Sequence, residues 1–476
     1  MADIIPGVTF QKIPSPNSLI LPAGIANVAF TGICKTTKTT VENLVLPLLG
    51  LTGPTAGYQI LGSTGVASIT SVIGSDGVEY VQDAGISGMT GDYEGITGSG
   101  ACYINWYVQR GDTATGFTGG ARPSTGDSYT ITYERNKIDS DYSYKTFYNV
   151  PQVVSEYGPA SLTNTISLAA KFFFSPLNGG VGTGGTVLNA VQMTDNTMQA
   201  YQDVLGKLAA TEIDLIVPLI PRDATTFAQL HSVTRSHVIT MSSVSEGKNR
   251  IAFVADDNTT DVATYILHGD ALDSERMVLT APPTVGAMVL PTDDSLAEVD
   301  TQINSVYLNA AMAGFLANPD TAISQPLTRQ SLPGFTTIGK TYLKSEISAL
   351  LSNGILVVEQ PFGADVRVVH GRTTDPSTVE NSEITIVRLG DFFGKSLKTV
   401  LETKYIGGRV DGPTLASIRS TINSFADNFI ANDSIISISG LSVTQDLLNP
   451  TKVNVALKIH PVYPLNFIDI KFSIGI

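Results

Sequence analysis

The side chains that could do chemistry are few and scattered. His231, His237, His268, His370 and His460 are the only histidines, and Cys34 and Cys102 the only cysteines. A zinc site gathers three or four such ligands, and a disulfide framework needs more thiols than two. His231 and His237 lie six residues apart, off-register for one helical face, and the other three histidines are isolated. Surface imidazoles, or buried ones with internal partners, are the expectation. The glycine-rich stretch NGGVGTGG at 178–185 invites a phosphate-cradle reading, yet no Gly-Lys-Ser/Thr follows it and no strand–loop–helix unit frames it, so it reads as a loop. Asp256 and Asp257 follow an apolar strand pattern, where open α/β sheets place ligands. The competing reading is that they cap the next helix. Arg110–Gly111–Asp112 copies an adhesion tripeptide but fits a polar turn. There is no G-x-S-x-G elbow and no H-E-x-x-H. No nucleophile, base and oxyanion donor assemble, so the sequence predicts a protein that is not an enzyme and needs no cofactor or metal.

Bulk properties narrow the partners. The chain of 476 residues carries 29 Lys and Arg against 43 Asp and Glu, a net charge of −14. Such a charge repels phosphate backbones and anionic lipid, so neither nucleic acid nor a membrane surface is expected as a direct partner. No apolar run is long enough to span a bilayer, and the opening MADIIPGVTF lacks a secretory pattern, which predicts a soluble, cytoplasmically made protein. Only 15% of residues are charged, so uncharged polar side chains carry much of the polarity. A surface of that kind is cheap to desolvate and suits repeated protein contacts.

The elements that would position these residues fall into five segments. Residues 1–24, with Pro6, Pro14, Pro16 and Pro22, read as an extended arm. Residues 25–152 read as β-rich, with a loop-rich peripheral insertion at about 36–125; YTITYE alternates Tyr129, Ile131 and Tyr133. Residues 153–334 read as a central α/β domain, because DLIVPLI, RIAFVAD and RMVLTAP alternate with helical stretches that include Phe227, Leu230 and Val233, then Ile303, Tyr307, Ala310 and Gly314. Residues 335–465, with help from the N-terminal segment, read as a C-terminal α+β domain. Its clearest helix starts at Pro413 and carries Leu415, Ile418, Ile422, Phe425 and Phe429 on one face. Residues 466–476, NFIDIKFSIGI, alternate Ile468, Ile470, Phe472, Ile474 and Ile476 against polar residues and read as a strand arm. The fold class is thus α/β and α+β multidomain with extended arms at both termini.

The arms pose an energetic question. Burying five large apolar side chains is worth about 8–15 kcal/mol in all. Fixing some ten residues of backbone costs about 10–20 kcal/mol. The terms nearly cancel, so such an arm is stable only on a preformed sheet edge that adds main-chain hydrogen bonds, its own or a second copy's.

These features meet a known family at specific residues. PGVTFQKI and NVAFTG; YTITYE, VPQVVSEYGP and LAAKFFF; EIDLIVPLI; LNAAMAGFLANP and SLPGFT; LLSNGILVVEQ, VRVVHGRTTD and ITIVRLGDFFGKSLKTVLETKYIGG; and VNVALKIHPVYPLNFIDI together resemble contractile tail sheath proteins of phages and related injection machines, in order along nearly the whole chain. Many sheaths carry an aromatic-Glu-Pro-Asn stretch in the C-terminal domain; here KYIGGRVDGP stands in its place. The resemblance implies a homo-oligomer of stacked hexameric rings around an inner tail tube. It further implies baseplate and tail terminator partners, a place in the virion tail after assembly in the host bacterial cytoplasm, and contraction that drives the tube through a cell envelope. It implies inter-subunit arm contacts at Val8, Phe10, Ile468, Ile470, Phe472, Ile474 and Ile476, and Lys395, Lys398, Glu402 and Arg409 are candidate tube-facing charges. The alternatives are a bacteriocin or type VI-like secretion sheath and, in another class, an α/β enzyme with a β appendage. A surface adhesin would need a secretion signal.

Overall fold

The computed structural model describes residues 26–45, 58–75, 77, 79–80, 93–96, 98–106, 128–175, 186–219, 227–256, 261–318, 321–468, 470 and 471. Among the proposed arm residues, Val8, Phe10, Phe472, Ile474 and Ile476 lie outside these, as do Asp257, the 178–185 glycine stretch and Arg110–Asp112. Two compact units emerge: Lys35–Ser143 with Ser155–Gly158, and Met1–Cys34, Tyr144–Val154 and Pro159–Ile476.

The larger unit is built on an eight-stranded sheet. In spatial order its strands are Arg367–His370, Ile355–Glu359, Met277–Ala281, Ile251–Ala255, Leu215–Pro218, Val28–Gly32, Leu188–Gln192 and Lys145–Phe147. The six inner strands run parallel and the two outer ones antiparallel. Runs such as VAFTG, LIVP and IAFVA are buried at every position, because parallel strands are covered on both faces. On one face Ala29, Ile216, Val254, Leu279 and Val357 pack with Tyr201, Leu208, Val238, Tyr265 and Leu350 of helices Met198–Ala209, Phe227–Met241, Val262–Leu272 and Lys344–Ser352. On the other, Phe30 meets Phe173 of helix Thr165–Phe173 edge-on at 5.4 Å. Beside it lies helix Val306–Ala317, buried along its whole length. Gly314 lets these two helices touch, since a Cβ there would fall 2.2 Å from the Phe173 carbonyl oxygen.

This sheet recruits segments that the sequence pattern assigns to three separate regions. Val28–Gly32, predicted within the β-rich segment, sits at the centre of the parallel sheet, paired with Leu188–Gln192 and Leu215–Pro218. Ile355–Glu359, predicted within the C-terminal segment, pairs in parallel with Met277–Ala281. Both are short, continuously apolar runs, which fit a doubly covered strand in whichever sheet has room for it. Ile303, predicted as helical, instead lies in strand Val299–Asn304 of a small antiparallel sheet with Thr284–Val289 and Phe335–Ile338.

The smaller unit is an antiparallel sheet in the order Thr37–Val45, Ser128–Asn136, Tyr58–Gly74, Gly98–Trp106 and Tyr93–Ile96, with Glu79–Tyr80 also paired to Tyr58–Gly74. Tyr129, Ile131 and Tyr133 point inward with Leu61, Val66, Ile69 and Val72, as period-two alternation requires. At its edge Asp141 receives Arg135 through Nη1 at 2.7 Å and the Ile138 N–H at 3.0 Å.

Candidate functional site

The C-terminal part of the larger unit carries the candidate assembly surface. Helix Ile384–Tyr405 crosses helix Gly412–Ala431, which starts on the Asp411 side chain accepting the Thr414 N–H at 2.8 Å, with Pro413 in its first turn. Leu389, Phe393, Leu397 and Leu401 of the first helix meet Ile418, Ile422, Ala426 and Phe429 of the second. The ring centroids of Phe425 and Phe429 are 4.6 Å apart, and Phe393 stands edge-on to Phe425 at 5.7 Å.

Under these helices lies a hairpin. Ile435–Gln445 pairs antiparallel with Val453–Pro461, with bulges at Ile435/Ser437 and Ser439/Ser442, where Gly440 takes φ +64°. The sequence suggests two strands, IISIS and LSVTQD; the bulge at Gly440 lets one strand run through both as far as Gln445. Ile435, Val443 and Ile459 face the helix layer. Among the described residues this sheet has two strands only, so the outer edge of each has no strand partner. Isolated two-stranded sheets are marginal, and an edge row of free N–H and C=O groups is a template for another strand.

The chain beyond Pro461 turns back along its own subunit. Tyr463 donates its hydroxyl to Glu380 Oε1 at 3.0 Å, Asn466 Nδ2 donates to Glu383 Oε1 at 2.8 Å, and the Phe467 ring stands edge-on to His370 at 6.0 Å. Burial, with the Glu380 carboxylate beside it, pushes the Tyr463 hydroxyl up to about 12. Glu383 also pairs with the His370 imidazole. Ile468 and Ile470 then stand 73% and 77% exposed and outside any strand. The described part of the predicted strand, residues 466–468, 470 and 471, therefore pairs with no strand among the described residues, and an extended segment without a ladder is not a strand.

The four charges singled out from sequence separate. Lys395 is held inside the subunit, its Nζ 2.5 Å from Asp214 Oδ1, while Asp214 Oδ2 accepts the Asn27 N–H at 2.9 Å. Lys398 and Glu402 form a loose pair at 3.9 Å along the helix, and Arg409 is exposed in the turn that follows.

Sequence reasoning missed what ties helix Ile384–Tyr405 to the large sheet. Asp391 is buried against Arg276 and accepts Asn249 Nδ2 at 2.9 Å, and Arg388 Nη2 reaches the Leu316 carbonyl at 2.6 Å. Burial lowers the Arg388 guanidinium to about 10. The available signal is an arginine and an aspartate three residues apart inside the apolar run ITIVRLGDFF, which has no solvent face to put them on.

The other chemistry-bearing residues find internal partners. Asp256 is fully buried, with Oδ2 2.9 Å from His268 Nδ1 and its carbonyl accepting Asn304 Nδ2 at 2.8 Å. The next helix is capped by Asp261, not by Asp256. His237 Nε2 contacts Arg250 Nη1 at 3.0 Å, and burial lowers its imidazole to about 4; His460 contacts Ser439 Oγ at 3.0 Å. Among the described residues no group of three or more His, Cys, Asp or Glu is placed to hold a metal ion, and no helix is long and apolar enough to cross a membrane.

No family model matches the chain. It is similar to the tail sheath protein of Mycobacterium phage Bxz1, 26% identical over 370 residues, which cover 75% of this chain and 60% of that protein. It is also similar to the tail sheath protein of Bacillus phage SP01, 22% identical over 279 residues, covering 58% of this chain and 45% of that protein. The chain thus spans about half the length of the curated relatives it matches. In fold it is similar to the helical sheath of the anti-feeding prophage in its contracted state, with a TM-score of 0.56, 13% identity and 99% of both chains covered. The contracted sheath of the extracellular injection system PVC gives a TM-score of 0.53 at 12% identity over 70% of this chain and 87% of that one. In sequence the chain is thus similar to phage tail sheath proteins, and in fold to contractile sheath subunits.

Proposed function

We propose that this chain, a relative of contractile tail sheath proteins, is the structural subunit of such a sheath. Copies stack as hexameric rings around an inner tail tube, bind a baseplate at one end and a terminator at the other, and contract to drive the tube through a bacterial envelope. The protein is a component of the virion tail, assembled in the host cytoplasm, and works without catalysis, cofactor or metal.

The observation that carries this reading is the C-terminal hairpin with both edges lacking a strand partner among the described residues, beside an apolar segment at Ile468 and Ile470 that pairs with none of the described strands. We assign Ile468, Ile470, Phe472, Ile474 and Ile476, with Val8 and Phe10, to the edges of neighbouring hairpins. Strand addition there supplies the main-chain bonds that apolar burial alone cannot replace. Linked in this way, subunits can rotate without separating, and contraction is driven by surface that becomes buried as they do so. Of the candidate tube-facing charges, Lys398, Glu402 and Arg409 are the exposed or half-exposed set, while Lys395 acts inside the subunit.

Negative-stain microscopy of the purified full chain tests the assignment. Tubes or stacked rings are the expected result; a small, discrete oligomer at every protein concentration would favour the α/β enzyme reading. A bacteriocin or secretion-type sheath would form similar tubes and is separated from a virion component by the presence of the chain in purified, genome-filled particles.

A further inference from the structure

The turn joining the two hairpin strands presents two leucines to solvent on a locked backbone. Leu447 and Leu448 are 101% and 97% exposed. Asp446 Oδ1 accepts the N–H groups of Leu448 and Asn449, each at 2.9 Å, and its Oδ2 accepts Asn454 Nδ2 at 2.9 Å. The Asp446 N–H reaches the Lys452 carbonyl at 2.8 Å, Lys452 N–H reaches the Asn449 carbonyl at 2.9 Å, and Gln445 Nε2 donates to the Pro450 carbonyl at 2.6 Å. Asn449 Oδ1 in turn accepts the Thr451 N–H at 3.1 Å and its hydroxyl at 2.7 Å. None of these bonds needs leucine, and a polar pair at the tip would hold the same turn. Adjacent, fully exposed large apolar side chains on a rigid protrusion have the form of an anchor that loses little entropy on docking.

We propose that Leu447 and Leu448 form a plug that seats in an apolar surface of a second copy of this chain. The inference rests on the sheath reading above. Two leucine side chains fall far short of the about 1,200 Å² that a stable interface needs, so they cannot hold a partner alone. They must belong to a larger contact, and the surface continuous with them is the pair of outer edges of the same hairpin, which have no strand partner among the described residues. The copy that supplies a strand to those edges is therefore the partner that also receives the plug. In a polymer the contact repeats at every subunit, so a small anchor gains weight through multiplicity.

The test uses the full chain with both leucines replaced, L447D together with L448D, and a second preparation with a photocrosslinking amino acid at position 447. Because both side chains are exposed, the thermal unfolding midpoint of the unassembled aspartate variant should match wild type. Its critical concentration for polymerisation, measured by sedimentation, should rise at least about tenfold. Irradiated polymers of the second preparation should yield a product of twice the chain mass. Polymerisation of the aspartate variant at the wild-type critical concentration, or a crosslink confined to residues of the same chain, overturns the proposal. If wild type itself does not polymerise, the sheath reading falls and takes this inference with it; if wild type polymerises and only the variant result fails, the plug alone is lost.

Discussion

At the scale of single residues, the strongest commitments are buried charges. Arg276 and Asp391 are 7% and 9% exposed at their side chains and joined by an ion pair, with Asn249 completing the carboxylate's bonds. Removing Asp391 leaves buried Arg276 with only the Glu275 carboxylate at 3.2 Å and takes the acceptor from Asn249 Nδ2, so Asp391→Ala should cost about 1–3 kcal/mol. Urea unfolding of the unassembled subunit measures this, and Asp391→Asn, which keeps a hydrogen bond, should cost less. A second residue-scale prediction concerns acid. The Asn454 amide and the Leu448 and Asn449 N–H groups lower the Asp446 carboxyl to about 2, against an ordinary value of 3.8. A carboxyl depressed in the folded state stabilises its turn fully above the unfolded value and loses that contribution as pH falls through the folded one. Pepsin cleavage between Leu447 and Leu448, normalised to a free peptide of the same sequence, should therefore rise as pH falls from about 4 to about 2. Asp446→Asn should remove that pH dependence.

At the scale of elements, close approach decides what can change. Helices Thr165–Phe173 and Val306–Ala317 meet where Gly314 lies under the Phe173 carbonyl. Gly314→Ala should force them apart and destabilise the subunit by about 1–3 kcal/mol, read as a shift in the urea midpoint at unchanged slope. The elements with strong periodicity were legible because periodicity is local, whereas helices Thr165–Phe173 and Met198–Ala209 were not read from the sequence. The stripe Leu415, Ile418, Ile422, Phe425, Phe429 forms the inner face of helix Gly412–Ala431, and Tyr129, Ile131 and Tyr133 line the core of the smaller unit. Partner choice was less legible. Val28–Gly32 lies in a stretch read as β-rich and Ile355–Glu359 in one read as α+β, and nothing in a short, almost uniformly apolar run specifies which neighbours it takes. The first turns of helix Ile384–Tyr405 show no one-sided stripe, because every residue of Ile384–Gly390 is buried, Arg388 included.

At the scale of the whole molecule, the feature that matters is the sheet edge. The C-terminal hairpin stops at two strands among the described residues and the next apolar residues, Ile468 and Ile470, stand in solvent, which is what the proposed strand donation between copies requires. The candidate arm was visible in sequence as alternation from Ile468 onward, whereas the contacts of Tyr463 and Asn466 that fix where it departs were not, because Glu380 and Glu383 are distant in sequence and carry no pattern. Charge-dependent binding belongs to this scale too: Arg409→Glu should weaken co-sedimentation of the sheath with its inner tube, more at low salt than at high, without lowering subunit stability. The most direct measurement compares the full chain with a version ending at Phe467, by sedimentation and negative-stain microscopy at matched concentrations. Strand donation predicts tubes from the full chain and only dispersed, folded subunits from the shortened one; long tubes of normal contractility from the shortened chain would contradict it.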